Sequence, residues 1–493
     1  MNALTSTWQR RLVVATGVTV LAVAVMLALV INANGDTPGL STIGDVMKRL
    51  VLLPGLLGFA VLLFTTAFAS TRAVAATSIE PATAMTTTDS GKPFVAQVVG
   101  LEWLNPLQRR DYPTEWQILW TMGLVKPNQN DDMVRTEPRK FTSLQSIGGI
   151  VDSNGGREVF EGIYEKYIDQ LLLLLADRYV MNGKYFYTVQ PKDRARWREL
   201  AGVRVELAVP ARLESSEAQT YLRNRMKTLF EIGSKSSPDL WSRDTLPDVH
   251  VTQGGANAGF ASLNKALDFL KANPDKTVWV MNWDAPSYPP RGGQINENMV
   301  LLFLAGPDFK TEREPLAWIG RAATSSIKDF DAKAGTTRAV QAWKAVIETA
   351  AQNGGIAVPS LNYVVHDAGK GSDAASARLG SLSQTLTEVL PEYDFRRQVF
   401  NAPSLLGDMG AGTALTDVIL AIGRANHLGE NVLVAGTTNQ ELPMAVVVVP
   451  PSKSTPIEPN RDWFRARGEN DAYLPWWGRR HDEKYSGAQG YSW

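Results

Sequence analysis

The chain has 493 residues, enough for two or three domain-sized units, and an apolar share of 44% marks it as folded. Lys plus Arg and Asp plus Glu each total 50, so the formal net charge is zero and broad electrostatic binding of nucleic acid finds no support. No cysteine is present, which excludes disulfides, Cys-ligated metals and thiolate chemistry; the four histidines, His250, His366, His427 and His481, show no HxxxH spacing, so neither a metal nor a cofactor is expected.

Residues 12–31 carry no charge and are mostly Val, Ala and Leu. At about 1.5 Å rise per residue, roughly 20 such residues cross a hydrocarbon core. A second apolar run covers 50–71, with Pro54 and Gly55 near its start. A cleaved signal peptide is the alternative for the first run, but its length and the second run weigh against it. Residues 1–76 are therefore predicted to form a transmembrane helical hairpin. Arg10 and Arg11 place the N-terminus in the cytoplasm, whereas Lys48 and Arg49 pull the other way. Two spans return the chain to its starting side, which makes the large domain cytoplasmic. The stretch 77–92 (TSIEPATAMTTTDSGK) is polar and Thr-rich and reads as a linker.

Beyond the linker, PFVAQVVG at 93–100 predicts a strand and 116–123 a helix. Residues 126–156 form a polar insertion rich in Asn, Asp, Arg and Gly. Helical spacing recurs over 158–178, followed by a strand at 203–209 and a helix at 215–230. HVTQGG at 250–255 is a strand-to-helix corner that leads into a helix ending near 270. Strands are predicted at 277–282, 298–304 and 318–324, a helix at 337–352, a strand at 361–366 and a helix at 374–390. GDMGAG opens a helix over 414–424, and 431–436 with 444–449 form a closing hairpin. Alternating strands and helices define an α/β class. The strands are apolar runs, so they are expected to be buried on both faces. Each half, 93–310 and 311–450, moves from strand–helix units to a terminal strand pair, the pattern of an internal duplication. The tail, 451–493, is rich in Pro, Trp and charge and has no period.

The order of elements resembles the thiolase-like fold of β-ketoacyl synthases, a duplicated α/β/α/β/α domain, over roughly 94–450. VHVTQGGANAGFASL resembles the nucleophile corner, and there Gln253 stands where the family has cysteine. NYVVHDAGKGSD places His366 on the first family histidine. SLLGDMGAGTALTDVILAI places Asp408 on the second, and Pro403 where a lysine commonly opens that motif. VLVAGTTNQELPMAVVVVP resembles the closing hairpin. The whole chain, with its apolar hairpin and aromatic tail, resembles the adaptor proteins that accompany type VI secretion lipase effectors in Gram-negative bacteria. That resemblance implies an inner-membrane protein whose cytoplasmic domain binds a lipase and helps load it onto a VgrG-type spike. The thiolase-like fold implies a homodimer.

Synthase chemistry requires a thiolate to hold the acyl group and two basic side chains to polarise the thioester carbonyl. Gln253 forms no acyl-enzyme, and an ionised Asp408 repels a developing oxyanion. Gln253, His366 and Asp408 are therefore expected to be vestigial positions of a pseudoenzyme. A residual malonyl-thioester decarboxylase, of the kind with Gln at the nucleophile position, is the enzyme alternative; an effector-neutralising immunity protein is the other. No GxSxG occurs, and GGANAG is neither GxGxxG nor a P-loop but reads as a tight turn. His366 as a hydrogen-bonded core histidine is the plainer expectation for that residue, and His250 is expected to pack or face solvent. Aromatics and arginines mark recognition surfaces, so Trp463, Phe464, Trp476, Trp477, Arg479 and Arg480 are the candidate partner-binding residues. Packing of the tail back onto the domain, or against the membrane surface, is the alternative.

Overall fold

The computed structural model describes residues 93–104, 114–125, 202–236, 245–284, 298–310, 314–369 and 371–457. The expected spans at 12–31 and 50–71, the linker, the insertion at 126–156, the helix at 158–178 and all six aromatic or arginine candidates of the tail lie outside them. No helix among the described residues is long and apolar enough to cross a membrane.

Among the described residues, eleven strands form one mixed sheet. The first half contains β1 (Ala96–Leu104), α1 (Thr114–Thr121), β2 (Arg204–Pro210), α2 (Ser215–Leu229), β3 (Asp248–Gly254), α3 (Ala258–Ala272), β4 (Thr277–Asp284) and β5 (Asn298–Ala305). The second contains β6 (Ala317–Ile319), β7 (Ala323–Thr324), α4 (Arg338–Asn353), β8 (Tyr363–His366), α5 (Asp373–Val389), β9 (Val399–Asn401), α6 (Ala402–Leu406), α7 (Thr413–Leu428), β10 (Val432–Gly436) and β11 (Met444–Val449). The strand order is β3-β2-β4-β5-β1 in the first half and, continuing through β1, β6-β11-β10-β8-β9 in the second. Read outward from the β1–β6 junction, the two orders are the same. The directions repeat as well. β2 runs parallel to β3 and β4, as β8 does to β9 and β10, while β5 and β11 are antiparallel to both neighbours. The halves meet where β1 pairs antiparallel with β6, Gln97 opposite Trp318.

Side-chain alternation along the strands separates three cores. On β4, Val278 and Val280 face a central cluster and Trp279, Met281 and Trp283 an outer one. On β10, Val432 and Val434 face the centre and Leu433 and Ala435 the opposite outer cluster. The helices sort accordingly. α3 and α7 fill the centre, and α7 is buried around nearly its whole circumference. α2 buries only the stripe Ala218, Leu222 and Met226, as an outer helix does. The outer cluster of the second half is built by α4 and α5. The layers therefore alternate helix, sheet, central helices, sheet, helix.

Three expectations need correction. The strand over 318–324 is broken into β6 and β7. Pairing with β11 runs on to Gly320, whose N–H donates to the Val447 carbonyl at 3.3 Å and where a Cβ would fall 2.6 Å from the Asn353 carbonyl, so only glycine fits. It lapses beyond, where the Asn264 amide of α3 takes both the N–H and the carbonyl of Ala322, at 2.8 and 3.0 Å, and Asn353 Nδ2 donates to the Arg321 carbonyl at 3.0 Å. β9 has no counterpart in the prediction because it is three residues long and none is fully buried. Burial on both faces fails for β3, an outermost strand whose Asp248 and Gln253 are exposed.

Candidate functional site

The three positions singled out in the sequence lie on three separate segments: the end of β3, the end of β8 and the turn that leads into α7. Gln253 is the penultimate residue of β3, opposite Val209 of β2. Its side chain is exposed, and its Nε2 donates to the Leu213 carbonyl in the segment that leaves β2. The neighbouring Arg212 pairs with Asp284 at the end of β4, 2.9 Å away, and the other Asp284 oxygen accepts the Ala411 N–H at 2.8 Å. Ala411 lies in the turn that opens α7. Asp408 stands at the start of that turn, exposed, with its Oδ1 accepting the Gly410 N–H at 2.9 Å. This is the local bond by which Asp nucleates a turn.

His366 ends β8, opposite Ala435 of β10 and Asn401 of β9. It is 1% exposed. Its Nδ1 accepts the Ala368 N–H at 3.1 Å, which assigns the ring proton to Nε2. Burial disfavours the imidazolium and lowers its pKa to about 4. At neutral pH the residue is thus an uncharged donor through Nε2. The next residue along β10 after its partner Ala435 is Gly436. A Cβ there would fall 2.3 Å from Asn257 Oδ1, so β10 ends against the start of α3, just beyond the Gln253 corner. Among the described residues no hydrogen bond joins any two of Gln253, His366 and Asp408.

The sequence reading passed over the acids around His366. Asp367 is 4% exposed, and its Oδ1 accepts the Thr437 N–H at 2.5 Å and the Thr437 hydroxyl at 2.7 Å. Its Oδ2 accepts the Thr438 hydroxyl at 2.7 Å. Burial raises its pKa, and the threonine bonds offset part of that rise. Asp417, in the middle of α7, is 2% exposed, and burial, then the nearby Asp367, push its carboxyl well above the usual range. Asn401 holds the same turn from β9, donating to the Gly369 carbonyl at 2.7 Å and accepting the Gly369 N–H at 3.1 Å. A signal for Asp417 was present: it is the sole charge in TALTDVILAI. His250 is half-exposed and bonds Asp248 at 2.9 Å. His427 is buried, with Nδ1 2.6 Å from the Thr455 carbonyl. Among the described residues no group of three His, Asp or Glu side chains is placed to hold a metal.

No family model matches the sequence, and no curated protein matches it. Among solved structures, the chain is similar to the oxazolomycin ketosynthase domain of Streptomyces albus JA3453, with 13% identity, 76% of this chain and 100% of that chain covered, and a TM-score of 0.45. It is also similar to the ketosynthase from module 6 of the bacillaene synthase of Bacillus subtilis 168, with 12% identity, 74% and 71% covered and a TM-score of 0.46. For the ishigamide ketosynthase/chain length factor the values are 14% identity, 72% and 99% covered and a TM-score of 0.42. Identities of this size transfer no residue's role.

Proposed function

We propose that the protein is a thiolase-like adaptor without acyl-transfer activity. In this reading it binds a type VI secretion lipase effector and assists its loading onto a VgrG-type spike. The observation that carries the loss of catalysis is chemical: the chain contains no thiol, and the side chain at the corner is an amide engaged with the Leu213 carbonyl. Asp408, a carboxylate where the resemblance calls for a basic group, supports the same reading. The thiolase-like assignment is supported by the identical five-strand order of the two halves, each with one strand antiparallel to its neighbours. The adaptor role rests on the resemblance of the whole chain, with its apolar N-terminal runs and aromatic tail. It carries with it an inner-membrane location, a cytoplasmic domain and a homodimer.

One observation favours a second reading. His366 presents an uncharged Nε2–H, a suitable donor to a thioester carbonyl, and a residual malonyl-thioester decarboxylase needs such a donor.

The adaptor reading is tested by affinity capture with the full-length chain co-expressed with the lipase encoded beside it. The lipase is expected to be retained, and the Trp476→Ala/Trp477→Ala pair is expected to lower its capture at least about tenfold if the tail supplies the anchors. A lipase that passes through unbound in the presence and absence of the spike protein removes the adaptor role. Capture that also abolishes lipase activity in the periplasm favours the immunity protein instead.

A further inference from the structure

The glycine-rich GDMGAG turn that opens α7 serves no chemistry assigned above. Its backbone changes hand at one point, from φ −105° at Met409 to φ +51° at Gly410. Such a reversal turns successive N–H groups towards one side and makes a concavity that attracts anions. Both following N–H groups are taken by carboxylates of this chain. Asp408 accepts from Gly410 at 2.9 Å, within the turn, and Asp284 reaches in from the end of β4 to accept from Ala411 at 2.8 Å.

The turn is shaped around that incoming side chain. A Cβ at Gly410 would fall 2.0 Å from Asp284 Oδ2, and one at Gly412 would fall 1.8 Å from Asn298 Oδ1. Asp284 and Asn298 are direct partners across the β4–β5 ladder, and Asn298 Nδ2 donates to the Thr416 hydroxyl at 2.7 Å and to the Gly412 carbonyl at 3.3 Å. The two glycines are thus the openings through which a cross-strand polar pair of the first half enters the second. A carboxylate taken this far out of water needs a counter-charge as well as a hydrogen bond. Asp284 is 3% exposed, and Arg212 supplies the charge at 2.9 Å. Arg212 lies in the hydrogen-bonded turn 210–213, and Gln253 holds that turn by donating to the Leu213 carbonyl. The corner amide therefore props the arginine that neutralises Asp284.

We propose that the GDMGAG turn and Arg212 form a carboxylate-binding socket filled by the protein's own Asp284, an internal plug that closes the turn to a carboxylate from outside. A cation, an N–H donor and a glycine opening all meet at this one group. Taking away the carboxylate while keeping the cation and the donor leaves a space matched to a small planar anion, formate above all. Neither the socket nor its plug depends on whether the protein binds a lipase.

The test is urea unfolding of the full-length wild type and Asp284→Ala, in sodium formate and in sodium chloride at equal ionic strength. Asp284→Ala is expected to be the less stable and to regain stability, saturably, in formate alone. Its folding constant should rise as one plus the ratio of formate to Kd, about tenfold at ten times the Kd. The wild type, with its socket filled, is expected to respond alike to both salts. Asp284→Ala/Arg212→Ala lacks the cation and is expected to gain nothing from formate. Equal responses of wild type and Asp284→Ala would overturn the proposal, as would a formate gain that persists without Arg212. The isosteric Asp284→Asn keeps the packing and decides the matter even where Asp284→Ala fails to fold. Arg212→Ala is expected to lower the folding constant of the wild type about tenfold more than that of Asp284→Asn, and equal losses in the two backgrounds would sink the idea.

Discussion

Trp279→Ala is expected to destabilise the protein by about 3–5 kcal/mol, seen as a lowered urea midpoint at unchanged slope. Trp279 is 1% exposed in the outer core of the first half. It is wedged edge-on between two rings, Phe230 at 6.1 Å and Phe303 at 5.2 Å between centroids. Phe303 is its direct partner across the β4–β5 ladder, and Phe230 closes α2 over the sheet. Truncation therefore leaves a cavity bounded by a paired strand and by a helix end, neither of which can move in without breaking backbone bonds. The loss combines transferred area, the cavity and two aromatic contacts. Phe269 is a control. It packs only partly against the central core, under the Arg204 guanidinium, and Phe269→Ala is expected to cost well under half as much. Equal effects at the two positions would show that the outer core of the first half does not bear the stability assigned to it.

Acidification is expected to weaken the fold through His366. The unfolded imidazole titrates near its ordinary value of 6.5, whereas burial holds the folded one at about 4. Between these values the unfolded chain takes up a proton that the folded chain does not, so stability present above pH 6.5 is lost as pH falls towards 4. At 1.36 kcal/mol per unit the contribution approaches about 3 kcal/mol. His366→Gln keeps an acceptor for the Ala368 N–H and removes the titration. Unfolding by urea at pH 7, 5.5 and 4 is expected to show the advantage of wild type over this variant shrinking by roughly that amount. Asp367 and Asp417 act in the opposite sense, gaining stability as pH falls, but they are common to both proteins and drop out of the difference. Parallel pH profiles would show that His366 is not held neutral by burial.

What the sequence disclosed follows what it encodes locally. Long strands such as TVWVMNWD and NMVLLFLA declare themselves because both faces lie between layers and are mostly apolar, with the buried polar residues Asn282, Asp284 and Asn298 confined to their ends. Thr337 and Ser372 mark helix starts in the ordinary way, each accepting a backbone N–H three residues on. β9 stayed hidden because a three-residue strand among RRQVFN has no period to read. The break after Gly320 stayed hidden because the groups that take its backbone bonds, Asn264 of α3 and Asn353 at the end of α4, are distant in sequence. The β1–β6 pairing that joins the halves is likewise a contact between segments with no local sign of one another. At the site, the alignment of motifs pointed to Gln253, His366 and Asp408, yet the most constrained polar group there is Asp367. Its role depends on Thr437 and Thr438, supplied by a loop at the end of β10, and no spacing rule links them. For His366 the plain expectation of a hydrogen-bonded core histidine agrees with the structure.

The central claim is that this scaffold has lost its reactive groups, and it is tested most directly by thioester turnover. Full-length protein incubated with a malonyl-pantetheine thioester is expected to release carbon dioxide no faster than Gln253→Ala and His366→Ala, with all three at the buffer rate. Turnover by the wild type that Gln253→Ala abolishes would contradict the account and establish the protein as a decarboxylase.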